Sequence, residues 1–138
     1  MRKLALVVAL LAALPLFATD EEEIRAVVGK YFESHATGAA APLTEAFHPS
    51  WTMMSVRDGA LATRTLEQYT SGFTGNAPAD EAKRKRSIEQ IDVTGNAAMA
   101  KIRLDYPAAT LTDYMLLLKI DGRWQVVSKI FHSAPKAK

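Results

Sequence analysis

The longest apolar run of the chain comes at its start, Leu4 to Phe17, interrupted only by Pro15 and preceded by Arg2 and Lys3. A positive start, an apolar stretch and a small residue at Ala18 form the layout of a secretory signal peptide over residues 1–18. That layout predicts an exported protein, periplasmic or secreted, with no membrane attachment after cleavage. The run falls short of the roughly 20 apolar residues of a bilayer span, which sets an uncleaved anchor second.

Beyond residue 18 the apolar period changes. Ile24, Val27, Val28, Tyr31, Phe32 and His35 recur at helical spacing behind Thr19-Asp20-Glu21-Glu22-Glu23. That start offers a capping residue and then carboxylates suited to the positive end of a helix dipole. Gly38 marks the stop. Pro42 to Phe47 predicts a second, short helix ended by His48-Pro49, and Thr65 caps a third that runs to Tyr69. Trp51 to Val56 and Ala60 to Arg64 read as strands about an Asp58-Gly59 turn, and Gly72 to Asp80 as an exposed loop. Lys83–Val93 and Ala97–Tyr106 flank Gly95-Asn96, and two further strands between Leu111 and His132 flank Asp121-Gly122. Both dipeptides are hairpin signals, because their turns need φ > 0. Helices first and antiparallel strands afterwards indicate one α+β domain over residues 19–138.

The Asp121-Gly122 turn sets a register. Strict alternation places Asp113, Met115, Leu117 and Lys119 on one face with Trp124, Val126, Ser128, Ile130 and His132. Ala98, Ala100, Ile102, Leu104 and Tyr106 join them from the preceding strand, and Ser87, Glu89, Ile91 and Val93 from the one before. This inner face is predominantly apolar. The other face carries Arg84, Arg86, Lys101, Arg103 and Asp105 at one side, and Tyr114, Leu116, Leu118, Ile120, Val127 and Phe131 at the other. A sheet apolar on both sides of its last two strands needs two covers. Helices cover one; a second copy of the chain, docking on Tyr114, Leu116, Leu118, Val127 and Phe131, is expected to cover the other.

Charge narrows the partners. The formal net charge of +2 includes Arg2 and Lys3, so the chain after the signal segment is neutral. A neutral chain argues against nucleic-acid binding, and Lys83-Arg84-Lys85-Arg86 reads as a protected sheet edge. With Cys 0 there is no disulfide, thiolate metal site or thiol nucleophile. His35, His48 and His132 lack metal-ligand spacing, and neither a nucleophile elbow nor a phosphate loop is present, so no metal and no cofactor are expected.

Tyr31, Phe47-His48-Pro49, Asp58-Gly59, Asp113-Tyr114, Leu117-Leu118-Lys119, Asp121-Gly122, Trp124 and Lys129-Ile130-Phe131 together resemble the nuclear transport factor 2-like superfamily, with its SnoaL-like cone fold. Within it the C-terminal pattern resembles the family described as putative lumazine-binding. The resemblance implies a curved antiparallel sheet wrapped around a long N-terminal helix, a pocket between them, and dimers through the outer sheet. The superfamily holds isomerases, dehydratases, cyclases and non-catalytic binders, so the fold does not fix the function.

Asp113 is the sharpest polar residue, a carboxylate on an apolar face. Desolvation there raises a carboxyl pKa and suits a general acid or base. The superfamily's ketosteroid isomerases place carboxylates and a tyrosine in such a pocket, a role open here to Tyr31. The competing reading is a structural carboxylate that pairs with a base or caps a loop. His48 and His132 sit at strand ends, each a pocket-rim proton shuttle or a packing residue. The expected pocket lining is Tyr31, Ile102, Leu104, Met115, Trp124, Val126 and Ile130. Three functions compete: a non-catalytic domain holding a small, partly apolar molecule, which the apolar face favours; an isomerase- or dehydratase-type enzyme using Asp113, Tyr31 and His48; and a dimeric protein-interaction module.

Overall fold

The computed structural model describes residues 18–137. Residues 1–17 of the expected signal peptide lie outside the described residues. Helix α1 (Asp20–Thr37) starts in a capping box: Thr19 Oγ1 accepts from the Glu22 N–H, and the Glu22 carboxylate accepts from the Thr19 N–H. It buries Ile24, Val28, Tyr31 and Ser34 along one stripe. Gly38 closes it at φ 74°, and a Cβ there would sit 2.0 Å from the Asn76 carbonyl oxygen, so both conformation and contact require glycine. Helix α2 (Ala41–Ala46) follows, with Pro42 in its first turn, and helix α3 (Leu66–Thr70) repeats the capping box with Thr65 and Gln68.

Strands β1 (Phe47–Arg57), β2 (Ala60–Thr65), β3 (Lys85–Thr94), β4 (Ala97–Asp105), β5 (Ala109–Ile120) and β6 (Arg123–Pro135) form one curved sheet in the order β2-β1-β6-β5-β4-β3. All neighbours are antiparallel except β1 and β6, which run parallel. His48-Pro49 therefore lies inside β1 rather than before it, and Lys83 ends a single 3-10 turn (Glu81–Lys83) rather than starting a strand. The α+β architecture read from the sequence is the one observed. The core lies between α1 and the concave face, and includes Ile24, Val28, Tyr31, Phe47, Trp51, Ile102, Leu104, Met115, Leu117 and Val126.

The register predicted from Asp121-Gly122 holds for the first half of the hairpin: Ile120 pairs with Arg123, Lys119 with Trp124 and Leu117 with Val126. It then changes. Leu116 pairs with Ser128, so Val127 is left without a partner as a β-bulge. Beyond it every side chain of β6 changes face relative to strict alternation. Asp113 pairs with Phe131, not Ile130, and with Ile102 on β4. Lys129 turns inward and is 3% exposed, while Ile130 turns outward at 52%. A second bulge at Glu89, between the Ile88–Ile102 and Gln90–Lys101 pairs, does the same for β3. It brings Arg86 opposite the buried Leu104 and sends Glu89 outside to an ion pair with Lys101 at 3.3 Å. The expectations that Ser87, Glu89, Ser128 and Ile130 face inward, and that Arg86 and Phe131 face outward, are corrected by these two insertions.

Candidate functional site

Three polar side chains meet where α1 crosses β5 and β6. The Tyr31 hydroxyl donates to Asp113 Oδ2 at 2.7 Å. Lys129 Nζ donates to the same carboxylate oxygen at 3.1 Å and to the Tyr31 oxygen at 3.0 Å. Tyr31 reaches the site because it lies on the buried stripe of α1; Asp113 and Lys129 reach it because the Val127 bulge puts them on one face. Tyr31 and Asp113 are fully buried. Burial pushes the Tyr31 phenol well up, and the neighbouring Tyr69 and Asp113 push it further, so it remains a donor. The Lys129 ammonium lies 5.0 Å from the Tyr31 ring centre and 5.2 Å from those of Tyr69 and Phe131. Aromatic faces hold a desolvated cation in place.

Asp113 is therefore used on one side only. Oδ2 takes both hydrogen bonds, while Oδ1 is buried and without a partner among the described residues. An unpartnered buried carboxylate oxygen is costly to keep and calls for a reason. Two other buried polar atoms share that state, Ser34 Oγ and Trp51 Nε1. Phe131 also forms one wall of a cavity of about 240 Å³, lined further by Met53, Ser55, Arg57, Ala62 and Arg64. Met53 is the strand partner of Lys129, so this cavity lies beside the cluster on the concave face.

The sequence-predicted residues divide. Tyr31 and Asp113 converge. His48 does not join them: its Nδ1 accepts from the Ser50 N–H at 3.1 Å, a local turn contact on β1. His132 is exposed beyond the bulge and pairs across the sheet with Thr112. Ile102, Leu104, Met115 and Val126, expected to line a pocket, are packed core at 1% exposure or less, while Trp124 lines a separate cavity of about 280 Å³ with Val27 and Ala46. Ile130, expected beside them, is on the opposite face. Lys129, Tyr69 and Phe131 were missed as site residues. The signal for Lys129 was Asp113 itself, since a buried carboxylate needs a cation or donors. At the far end of the face Lys119 pairs with Trp124 as expected, and both donate to Asp20 Oδ1, at 2.7 and 2.9 Å.

The profile of the family described as putative lumazine-binding matches residues 19–132. The chain belongs to that family. The fold is nuclear transport factor 2-like. The structure superposes on an NTF2-like protein of unknown function from Shewanella baltica OS155 with a TM-score of 0.76, at 29% identity over 85% of this chain and 95% of that one. A second NTF2-like protein of unknown function, from Methylobacillus flagellatus KT, gives 0.72 at 26% identity, covering 89% and 97%. Among curated proteins, aldolase FrzH of Cladobotryum sp. is 29% identical over 121 residues, 86% of this chain and 95% of its own length. This lumazine-binding-family chain thus spans nearly the whole of each relative.

Proposed function

We propose that this protein is an enzyme that moves a proton at the carbon beside a carbonyl, in aldol-type or isomerase-type chemistry on a small molecule. The observation that carries the reading is the unpartnered Asp113 Oδ1 in a buried cluster where Oδ2 takes the hydrogen bonds of both Tyr31 and Lys129. In the reaction Oδ1 takes a proton from the carbon, and the electrons of that C–H bond move to the carbonyl oxygen as an enolate. The enolate carbon then attacks an aldehyde carbon, whose oxygen takes up the proton held at Oδ1; in an isomerisation the conjugated dienolate takes that proton at a different carbon. Lys129, held in place by three rings and the carboxylate, offsets the negative charge that develops. The similarity to an aldolase supports the reaction class. The cavity at Phe131 is the proposed approach, and Arg57 and Arg64 at its edge favour carbonyl compounds that also carry a carboxylate.

The test is hydrogen–deuterium exchange at the carbon next to the carbonyl, followed by proton NMR with a panel of small ketones, aldehydes and keto acids. Exchange by the wild type and its loss in Asp113→Asn is the expected result. Absence of exchange with every compound, alongside thermal stabilisation by one of them, would replace this reading with non-catalytic binding of a small, partly apolar molecule. The family's description favours that second reading.

Export, from the segment before residue 19, and a homodimer through the convex face belong to the same proposal. With the bulge taken into account, the dimer surface consists of Tyr114, Leu116, Leu118 and Ile130, continued by Val56 and Leu61, all of them exposed. Val127 sits at the bulge in its midst, and Phe131 leaves it for the concave face.

A further inference from the structure

A second line of polar groups runs from the surface toward the cluster. Glu81 accepts two hydrogen bonds from Arg86, at 2.6 and 2.8 Å. Arg86 Nε donates to the Tyr106 hydroxyl oxygen at 3.0 Å. That hydroxyl lies 3.3 Å from His35 Nδ1, and His35 Nε2 lies 2.8 Å from the Tyr69 hydroxyl. The Tyr69 ring in turn faces Lys129.

The line has a direction. A guanidinium has only donors, so the Tyr106 oxygen must accept from Arg86. The Tyr106 hydrogen is then free to go to His35 Nδ1. With Nδ1 accepting, a neutral imidazole carries its hydrogen on Nε2 and donates it to the Tyr69 oxygen. Tyr69 then points its own hydrogen away from His35, free for another acceptor. We infer that Tyr69 is a further catalytic residue, donating a hydrogen bond to the carbonyl oxygen of the substrate, and that His35 is the positioning residue that aims it. The catalytic half rests on the function proposed above; the orientation of His35 does not.

The surroundings of His35 agree. Burial, and then the charges of Lys129, Arg86 and Arg84, hold its pKa down to about 3. The rings of Tyr31 and Phe73 pack against it at 4.4 and 5.5 Å. Its polar neighbours are the two phenols, Tyr69 and Tyr106. The imidazole is thus neutral across the physiological range, and its Nε2–H tautomer lets Tyr106 donate to it and Tyr69 accept from it.

Nitrogen-15 NMR of histidine-labelled full chain reads the tautomer directly. A hydrogen on Nε2 of His35 with a bare Nδ1 between pH 5 and pH 8 is expected; a hydrogen on Nδ1, or an imidazolium, overturns the positioning role. Tyr106→Phe leaves the Arg86–Glu81 pair intact and should allow both tautomers, and an unchanged single tautomer also counts against the assignment. In the exchange assay Tyr69→Phe should lower kcat at least ~10-fold with a small change in KM. His35→Gln, whose amide can still donate, should retain more activity than His35→Leu. Exchange that survives Tyr69→Phe removes Tyr69 from catalysis while the proposed function stands. A wild type that exchanges nothing removes both, whatever the tautomer.

Discussion

Lys129 and Asp113 face each other across β5 and β6 at 3.1 Å, although alternation counted from the hairpin turn would put them on opposite sides of the sheet. The pair is as buried as the core around it, with side chains 4% and 0% exposed. Removing one partner leaves the other charge uncompensated, at about 3–5 kcal/mol, whereas replacing both by apolar groups is often neutral. Lys129→Met and Asp113→Leu should each destabilise the protein by about that amount, and the double variant by clearly less than their sum, in urea denaturation. Additive losses would mean that the two residues do not act as a pair.

The two faces of β6 should respond oppositely to charge. Ile130→Asp and Leu116→Asp lie on the exposed convex side. Each should convert a dimer to a monomer in sedimentation velocity and leave the unfolding midpoint within about 1 kcal/mol of the monomer's own stability. Phe131→Asp, beside the Lys129 cation and packed on the core, should lower stability by several times more. A wild type that sediments as a monomer at micromolar concentration would sink the dimer.

Stability should fall as the solution is acidified below pH 6.5, well before the carboxylates titrate. The His35 pKa is depressed from 6.5 to about 3 in the folded protein. Between those values the unfolded chain binds the proton and the folded chain does not, so acid favours unfolding. The slope approaches 1.4 kcal/mol per pH unit, which integrates to about 2 kcal/mol between pH 7 and pH 5. Asp20, Glu22, Glu81 and Asp105 are lowered by their hydrogen-bond partners and contribute only at still lower pH. Chemical denaturation at pH 7 and pH 5 measures the slope, and His35→Gln should flatten it; an equal slope in both proteins would assign the effect elsewhere.

Gly38→Ala should destabilise by more than about 1 kcal/mol, since it adds a side chain at φ 74° and drives it into the Asn76 carbonyl. Gly59→Ala, at φ 77° but with nothing within 4 Å, should cost less. Thermal melts that rank the two the other way would show that the loop at Asn76 moves aside freely.

The helices, their caps and the hairpins were legible because each depends on nearby residues: Thr19 with Glu22, Thr65 with Gln68, Asp121 with Gly122. The meeting of Tyr31 with Asp113 was legible too, because the stripe on α1 and the register of β5 are both set locally. Lys129 and Arg86 were not. Each lies beyond a bulge, and a bulge depends on how two strands curve together, not on a residue type that announces it. Nothing in Ser128-Lys129-Ile130-Phe131 objects to the wrong register, which would bury an isoleucine and expose a lysine. Tyr69 was missed for another reason: its place follows from where a five-residue helix lies against β1, a tertiary contact with no local signature.

The bulges at Val127 and Glu89 divide the concave wall by chemistry. On one side lie Trp124, Val126, Leu117, Ala98, Ile91 and Val93, all apolar; on the other, Lys129, Asp113 and Arg86 are set among Ile102 and Leu104. The same strand sequences, paired without these bulges, would present isoleucine and serines to the interior and leave Asp113 without its lysine. What joins the lysine to the carboxylate is thus a local irregularity of pairing, a place where β6 spends two residues against one of β5.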